Sequence, residues 1–188
     1  VKFTTTALPE VLLIEPDLFS DDRGWLAVQF DGARFNAALQ DLGLPAARPF
    51  VQEIQSMSQA GVLRGLHYQL PPHAQGKLVR VLRGAAFDVA VDLRRASPSF
   101  GRWVGTLLSA ENRRQTWIPE GFAHGFLALA DDTQLLYRST DVYAPQCERC
   151  LLWNDPALGI EWPVLAWGVP RPNARDAAAP RLSDAALF

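Results

Sequence analysis

The sequence predicts an all-β fold, an antiparallel sandwich or jelly-roll barrel carrying one or two short helices. Three observations lead there. Between residues 50 and 140, short β-forming runs recur at close and regular spacing, each ended by a turn-forming cluster. No helical patterns alternate with these runs, as the crossovers of a parallel sheet would require. One stretch alone has a clear helical period, so helices are accessories to a β framework.

Val11-Leu12-Leu13-Ile14 is a short apolar strand closed by Glu15-Pro16-Asp17. Ser20-Asp21-Asp22-Arg23-Gly24 reads as a turn, with residues 25–30 as the strand after it. Asp31 caps the helix. Phe35, Ala38, Leu39 and Leu42 fall on one face at i, i+3, i+4 and i+7, and Gly43 with Pro45 stops it. Strands are then expected over residues 50–57, 62–69, 77–83, 85–93, 103–109, 116–118, 122–130 and 133–140. The separators are Ala60-Gly61, Pro71-Pro72, Gly84, Ser97-Pro98, Glu111-Asn112, Pro119-Glu120-Gly121 and Asp131-Asp132. No repeat or linker interrupts the pattern, and residues 1–188 are expected to form one domain. After Asn154 the chain turns Pro-rich (Pro156, Pro163, Pro170, Pro172, Pro180), with Trp162 and Trp167 among the prolines. Leaving those indoles in water would be costly, so residues 154–188 are expected to wrap over the barrel.

Composition narrows the function. The chain is 48% hydrophobic and 20% charged, ordinary for a globule, and no apolar run approaches the ~20 residues that cross a bilayer. With a formal charge of −2, no whole-molecule field attracts nucleic acid or an anionic membrane, so neither is expected as a partner. An anionic substrate would need a local pocket of cations. The opening Val1-Lys2-Phe3-Thr4-Thr5-Thr6 lacks a signal-peptide core, which leads to the expectation of a cytoplasmic protein. Cys147 and Cys150 form a lone Cys-x-x-Cys, without the further ligands of a zinc site or the βαβ setting of a thioredoxin-like one. They are expected to be small side chains on a strand-like run that continues as Leu151-Leu152-Trp153.

The chemistry concentrates in Arg64-Gly65-Leu66-His67-Tyr68-Gln69 and, past Pro71-Pro72, in Gln75-Gly76-Lys77-Leu78-Val79-Arg80. An imidazole takes and returns a proton near neutral pH, and a neighbouring cation can hold an oxyanion. Alternation from Leu63 puts Gly65, His67 and Gln69 on one face and Arg64 on the other, unless a bulge intervenes. Residues 85–94 alternate cleanly: Phe87, Val89, Val91 and Leu93 share one face, while Asp88 and Asp92 share the other with Ala90 and either line a cavity or are solvated. His124 follows a tight turn between Ala123 and Gly125, neighbours small enough to leave room for a ligand. Tyr137 lies late in a strand, with Tyr143 six residues on. His73 is the remaining histidine, and none of the three has the His-x-His neighbour of a metal-binding barrel.

The order of these motifs resembles the dTDP-4-dehydrorhamnose 3,5-epimerase family, sugar-nucleotide epimerases of the cupin-like superfamily. The likeness runs from Asp22-Arg23-Gly24 through the two central motifs, residues 88–94, 108–112 and 118–126, to Trp153-Asn154-Asp155-Pro156, Glu161-Trp162-Pro163 and Asp176-Ala177-Ala178-Ala179-Pro180. It implies a cupin-like double-stranded β-helix and proton removal beside a C4 ketone, with return on the opposite face. Carried over, His67 is the base, Tyr137 the acid, Lys77 the cation at the enolate oxygen and Asp176 the carboxylate pairing with the histidine. Arg23, Gln52, Arg64, His124, Tyr143, Glu148 and Arg175 match positions for substrate contact. The resemblance further implies no metal and no cofactor, a homodimer, a dTDP-linked 4-keto-6-deoxyhexose substrate, and a role in rhamnose-containing surface polysaccharide such as lipopolysaccharide O-antigen.

Departures fall among binding positions. Val28 stands where the family usually has a glutamate, Ile54 where it has an amide, and Val142 where one of two aromatic residues precedes Ala144-Pro145. Pro172-Asn173-Ala174-Arg175 replaces the usual Leu-Ser-x-Lys. Three other readings follow: an epimerase acting at C3 or C5 alone, a non-catalytic sugar-nucleotide-binding protein, and a metal-dependent cupin. Solvent exchange separates the first two from the full activity, and elemental analysis tests the third.

Overall fold

Period-two alternation along the chain resolves into strands that pass by turns to one sheet and then the other. The computed structural model describes residues 1–164 and 168–188; the expectation for Trp167 lies outside the described residues. The elements in order are β1 (Lys2–Thr5), β2 (Leu12–Glu15), β3 (Phe19–Asp21), β4 (Gly24–Leu26), α1 (Gly32–Asp41), β5 (Gln52–Ser58), β6 (Leu63–Gln69), β7 (Lys77–Arg83) and β8 (Ala85–Asp92). They continue as β9 (Trp103–Ser109), β10 (Gln115–Ile118), β11 (Phe122–Ala128), β12 (Thr133–Ser139), β13 (Glu148–Cys150) and α2 (Ala174–Ala177). A six-stranded sheet has the order β1-β2-β10-β7-β12-β5, and a five-stranded sheet β13-β6-β11-β8-β9.

Within them the pairs β5·β12, β6·β11, β7·β10 and β8·β9 are all antiparallel. Such nesting is one long hairpin rolled over itself, the jelly roll that the sequence predicts. The β7, β9 and α1 spans match expectation, Asp31 capping α1 by accepting from the N–H groups of Ala33 and Arg34.

One local expectation needs correction. Residues 25–30 do not form one strand. The strand ends at Leu26, and Phe30 turns inward to meet the Phe35 ring at 5.9 Å and the Phe50 ring at 5.1 Å. The turn expected at residues 20–24 is present at Asp22-Arg23 as the tip of a hairpin, where Phe19–Asp21 pairs with Gly24–Leu26 and Asp21 Oδ1 accepts from Arg23 N. β1 is an additional edge strand whose polar threonines hid its pairing with β2.

Each sheet is covered outside and shares a core inside. Val79, Val81, Ile118 and Leu135 of one sheet pack with Ala86, Ala90, Leu108, Phe122 and Phe126 of the other. Helix α1 seats Phe35 and Leu39 on Leu12, Ile14, Leu78 and Trp117, behind the six-stranded sheet. Behind the five-stranded sheet, Val89, Val91 and Leu93 carry Leu158, Ile160, Trp162, Leu182, Ala185 and Phe188 from the Pro-rich segment. Trp162 donates from Nε1 to Trp153 O at 2.9 Å.

Asp92 shows one use of the inward face. Its fully buried carboxylate accepts from Arg94 Nε (2.9 Å) and Nη2 (2.8 Å), Ser97 Oγ (2.5 Å) and Ser99 Oγ (2.7 Å). Burial alone would raise this carboxyl, but Arg94 and the two hydroxyls outweigh it and hold the pKa at about 2, below the ordinary 3.8. The stabilisation is therefore complete above pH 4 and lost as pH falls through about 2. Asp92→Asn is expected to cost about 2–3 kcal/mol in urea unfolding at neutral pH, with the gap to the unsubstituted protein narrowing in acid.

Candidate active site

The site is built on β6, where a bulge decides which side chains enter it. His67 lies opposite His124 and Arg64 opposite Phe126, so three steps along β6 match two along β11. The extra residue resets alternation. Arg64 consequently turns toward the facing sheet, giving Nε to Ser58 Oγ (3.0 Å) and Nη2 to Met57 O (3.1 Å), on the same side as His67. Gly65 makes the bulge possible. Its φ is +127°, and a Cβ there would lie 2.6 Å from Gly125 Cα. Leu66 and Tyr68 point to the opposite face, where the Tyr68 hydroxyl donates to Ala186 O at 2.6 Å. Gln69 is structural: its amide bonds His73 O, Val142 O and Ala144 N and so fixes the loop that carries Tyr143.

His67 Nε2 lies 2.7 Å from Asp176 Oδ1, and the other carboxylate oxygen accepts from Gly65 N at 3.0 Å. Asp176 is fully buried and comes from α2, whose first turn is capped by Asn173 Oδ1 accepting from Asp176 N. Asn173, where the family has serine, makes the cap that serine would make. Burial would raise the Asp176 carboxyl, yet the bonds from His67 and Gly65 hold it below the usual range. An ionised Asp176 fixes the tautomer with the proton on Nε2, leaving the Nδ1 lone pair of His67 as the available base.

On the facing sheet, Tyr137 stands on β12, its ring 6.3 Å from that of His124 and 5.7 Å from Lys77 Nζ. Burial, and then Glu148, raise the Tyr137 phenol above its ordinary 10, so it remains protonated at neutral pH. Lys77 is 7% exposed, and no carboxylate among the described residues lies within ion-pair distance of it. Burial lowers its ammonium to about 8, against the opposing pull of Glu148 and Asp88. His124 Nε2 pairs with Asp88 Oδ1 at 2.6 Å, while Asp88 Oδ2 is buried with no partner.

Glu148 gathers the rim. It accepts from Arg175 Nη1 at 2.7 Å and from the Tyr143 hydroxyl at 2.9 Å, and Arg175 holds its carboxyl below the usual range. Gln52 accepts from Tyr143 N at 2.9 Å. His67, Asp176, Arg175, Glu148, Tyr143 and Gln52 are thus linked by hydrogen bonds and ion pairs, Tyr137 stands by Lys77 and His124, and Arg64 is held by Ser58 and Met57. Arg23 is the exception. It sits on the exposed β3–β4 hairpin, and among the described residues its side chain bonds only Asp21. His73 pairs with Asp141 at 3.2 Å, apart from this set.

Sequence reading did not assign Asp88, Ser58 or Cys150 to the site. Period-two patterning put Asp88 and Asp92 on one face without deciding whether that face lines a cavity or meets solvent. Cys150 lies directly opposite His67 on β13, with Sγ 3.5 Å from Asp176 Oδ1, and no local pattern announces that pairing. Burial, followed by Asp176, pushes this thiol up to about 12.

Comparison with known proteins gives the family. Residues 5–184 match the sequence model of the family described as dTDP-4-dehydrorhamnose 3,5-epimerase. The dTDP-4-dehydrorhamnose 3,5-epimerase of Pseudomonas aeruginosa is 50% identical over 188 residues, covering 100% of this chain and 99% of that protein. The crystal structure of dTDP-6-deoxy-D-glucose-3,5-epimerase from Legionella pneumophila, in complex with dTDP-4-keto-L-rhamnose, superposes with a TM-score of 0.89 at 44% identity. The match covers 98% of this chain and 94% of that one. A 3′-monoepimerase from Streptomyces bikiniensis, in complex with dTDP-quinovose, gives 0.84 at 35% identity over 95% and 87% of the two chains. With its rolled double sheet, its matched length and half its residues shared with a near-full-length relative, the chain belongs to the dTDP-4-dehydrorhamnose 3,5-epimerase family.

Proposed function

We propose that this protein is an isomerase that inverts C3 and C5 of dTDP-4-dehydro-6-deoxy-D-glucose, yielding dTDP-4-dehydro-L-rhamnose. One arrangement supports it above all: a carboxylate-backed imidazole and a protonated phenol on opposed sheets, with a buried ammonium beside the phenol. Removal of a C–H proton needs a ketone next to it and a base in reach. His67 Nδ1 takes the proton, and Asp176 steadies the imidazolium that results. Negative charge then develops on the C4 oxygen, where Lys77 stabilises it in a site from which water is largely removed. Tyr137 returns a proton to the other face, which inverts the carbon. Arg64 and Arg175 supply planar cations suited to a diphosphate.

The chemistry is tested in heavy water with dTDP-4-keto-6-deoxyglucose followed by proton NMR. Deuterium is expected at both C3 and C5, and His67→Ala should lower the exchange rate by about 10²–10⁴-fold. Tyr137→Phe should separate the two half-reactions, retaining exchange without net inversion. Exchange at one carbon alone would instead support the single-position reading, which the Streptomyces bikiniensis match and Ile54 beside Tyr137 in the β5–β12 register favour. No exchange with intact binding would support the non-catalytic one.

The Lys77 ammonium gives a pH signature. Because burial lowers it to about 8 in the free protein, kcat/KM should fall as pH rises through that value. Lys77→Arg keeps its charge and should move this limb upward while reducing kcat.

We also propose a homodimer acting in the cytoplasm, consistent with a nucleotide-linked substrate and two free thiols. Leu18, Phe19, Trp25, Leu26 and Val28 are exposed together around the β3–β4 hairpin, a patch suited to cover by a second copy. Arg23 lies on that hairpin, so a substrate contact from it would be made in the partner's site. Light scattering should give a dimer mass, and Phe19→Asp with Trp25→Glu should reduce it to the monomer.

A further inference from the structure

Three side chains of different ligand chemistry converge at the catalytic pair. His67 and Cys150 are directly opposite in the β6–β13 ladder, and Asp176 reaches both from α2. The ligand-type atoms of the three all lie within 4.8 Å of one another. Cation ligands in a tetrahedral site stand about 2.0–2.3 Å from the ion, and so a little over 3 Å apart. Cys150 Sγ is already 3.5 Å from Asp176 Oδ1, whereas His67 Nε2, at 2.7 Å from that oxygen, must open by only a fraction of an ångström. The His67 side chain is 28% exposed, which gives solute a route to the cluster. Glu148, two residues before Cys150 and on the same face of β13, adds negative charge nearby.

We infer that His67 Nε2, Cys150 Sγ and Asp176 form an inhibitory site for a borderline-soft divalent cation such as Zn²⁺, with water completing the coordination. Nitrogen, thiolate and carboxylate together suit zinc or cobalt, whereas calcium and magnesium prefer oxygen alone. The proton balance explains the inhibition. Metal at Nε2 displaces the proton held there, which moves to Nδ1, and the Cys150 thiol gives its proton to solvent, so one proton is released per cation. Nδ1 then carries a proton where the resting tautomer has a lone pair, and Asp176 ligates the metal in place of supporting the ring. Inhibition rests on the reading of His67 as base; binding does not.

The test titrates the full-length metal-free protein with Co²⁺, without substrate. A thiolate-to-cobalt charge-transfer band with one-to-one stoichiometry and release of one proton is expected. Cys150→Ser should abolish the band and weaken binding tenfold or more, while Cys147→Ser should leave both, with circular dichroism establishing that each variant is folded. Zn²⁺ should suppress deuterium exchange reversibly with a chelator, and Cys150→Ser should need at least tenfold more Zn²⁺ for half-suppression of its own rate. No band in the unsubstituted protein, or an unchanged band in Cys150→Ser, would overturn the site. A band in a protein that shows no exchange even without metal would uphold the cation site and overturn the epimerase reading instead.

Discussion

A carboxylate removed entirely from water constrains much of this structure. Asp176 can remain ionised there only if donors surround it, and they come from Gly65 N–H, His67 and the Cys150 thiol. Two of these are on β6 and one on its neighbour β13, so α2 is held against the edge of the five-stranded sheet. Gly65, whose N–H satisfies Asp176, also lies in the bulge that aims Arg64 at the facing sheet. Tail docking, strand irregularity and imidazole orientation thus meet at one buried charge.

The two aspartates of β8 show how environment separates structure from chemistry. Both face inward, four residues apart on one strand. Asp92 is saturated by Arg94, Ser97 and Ser99. Asp88 has His124 on one oxygen and nothing on the other. A saturated carboxylate stabilises the fold, whereas one left with bonding capacity can still respond to a ligand. Lys77 belongs to the second kind, for burial keeps its ammonium close to losing its proton.

The rim balances charge differently. Arg175, Glu148 and Tyr143 are partly exposed and hold one another through hydrogen bonds. An anionic substrate can compete for Arg175 at modest cost because water screens the pair already. Arg175 stands where lysine is usual, and its planar fork suits both Glu148 and a diphosphate.

Much of this was legible beforehand. Strand positions, the Asp31-capped helix and the two faces of residues 85–93 follow from period and turn chemistry, which act between neighbours in sequence. The resemblance in motif order singled out His67, Lys77, Tyr137 and Asp176. What local pattern did not contain was contact: Asp176 meeting His67 across 109 positions, the bulge that turned Arg64, Cys150 brought opposite His67, and Arg23 carried outward on a hairpin. Sequence alone determined which residues alternate and what chemistry they can perform. The tertiary structure decided which of them meet, because strand register and the docking of the tail are settled by long-range packing and by the need to satisfy buried charge.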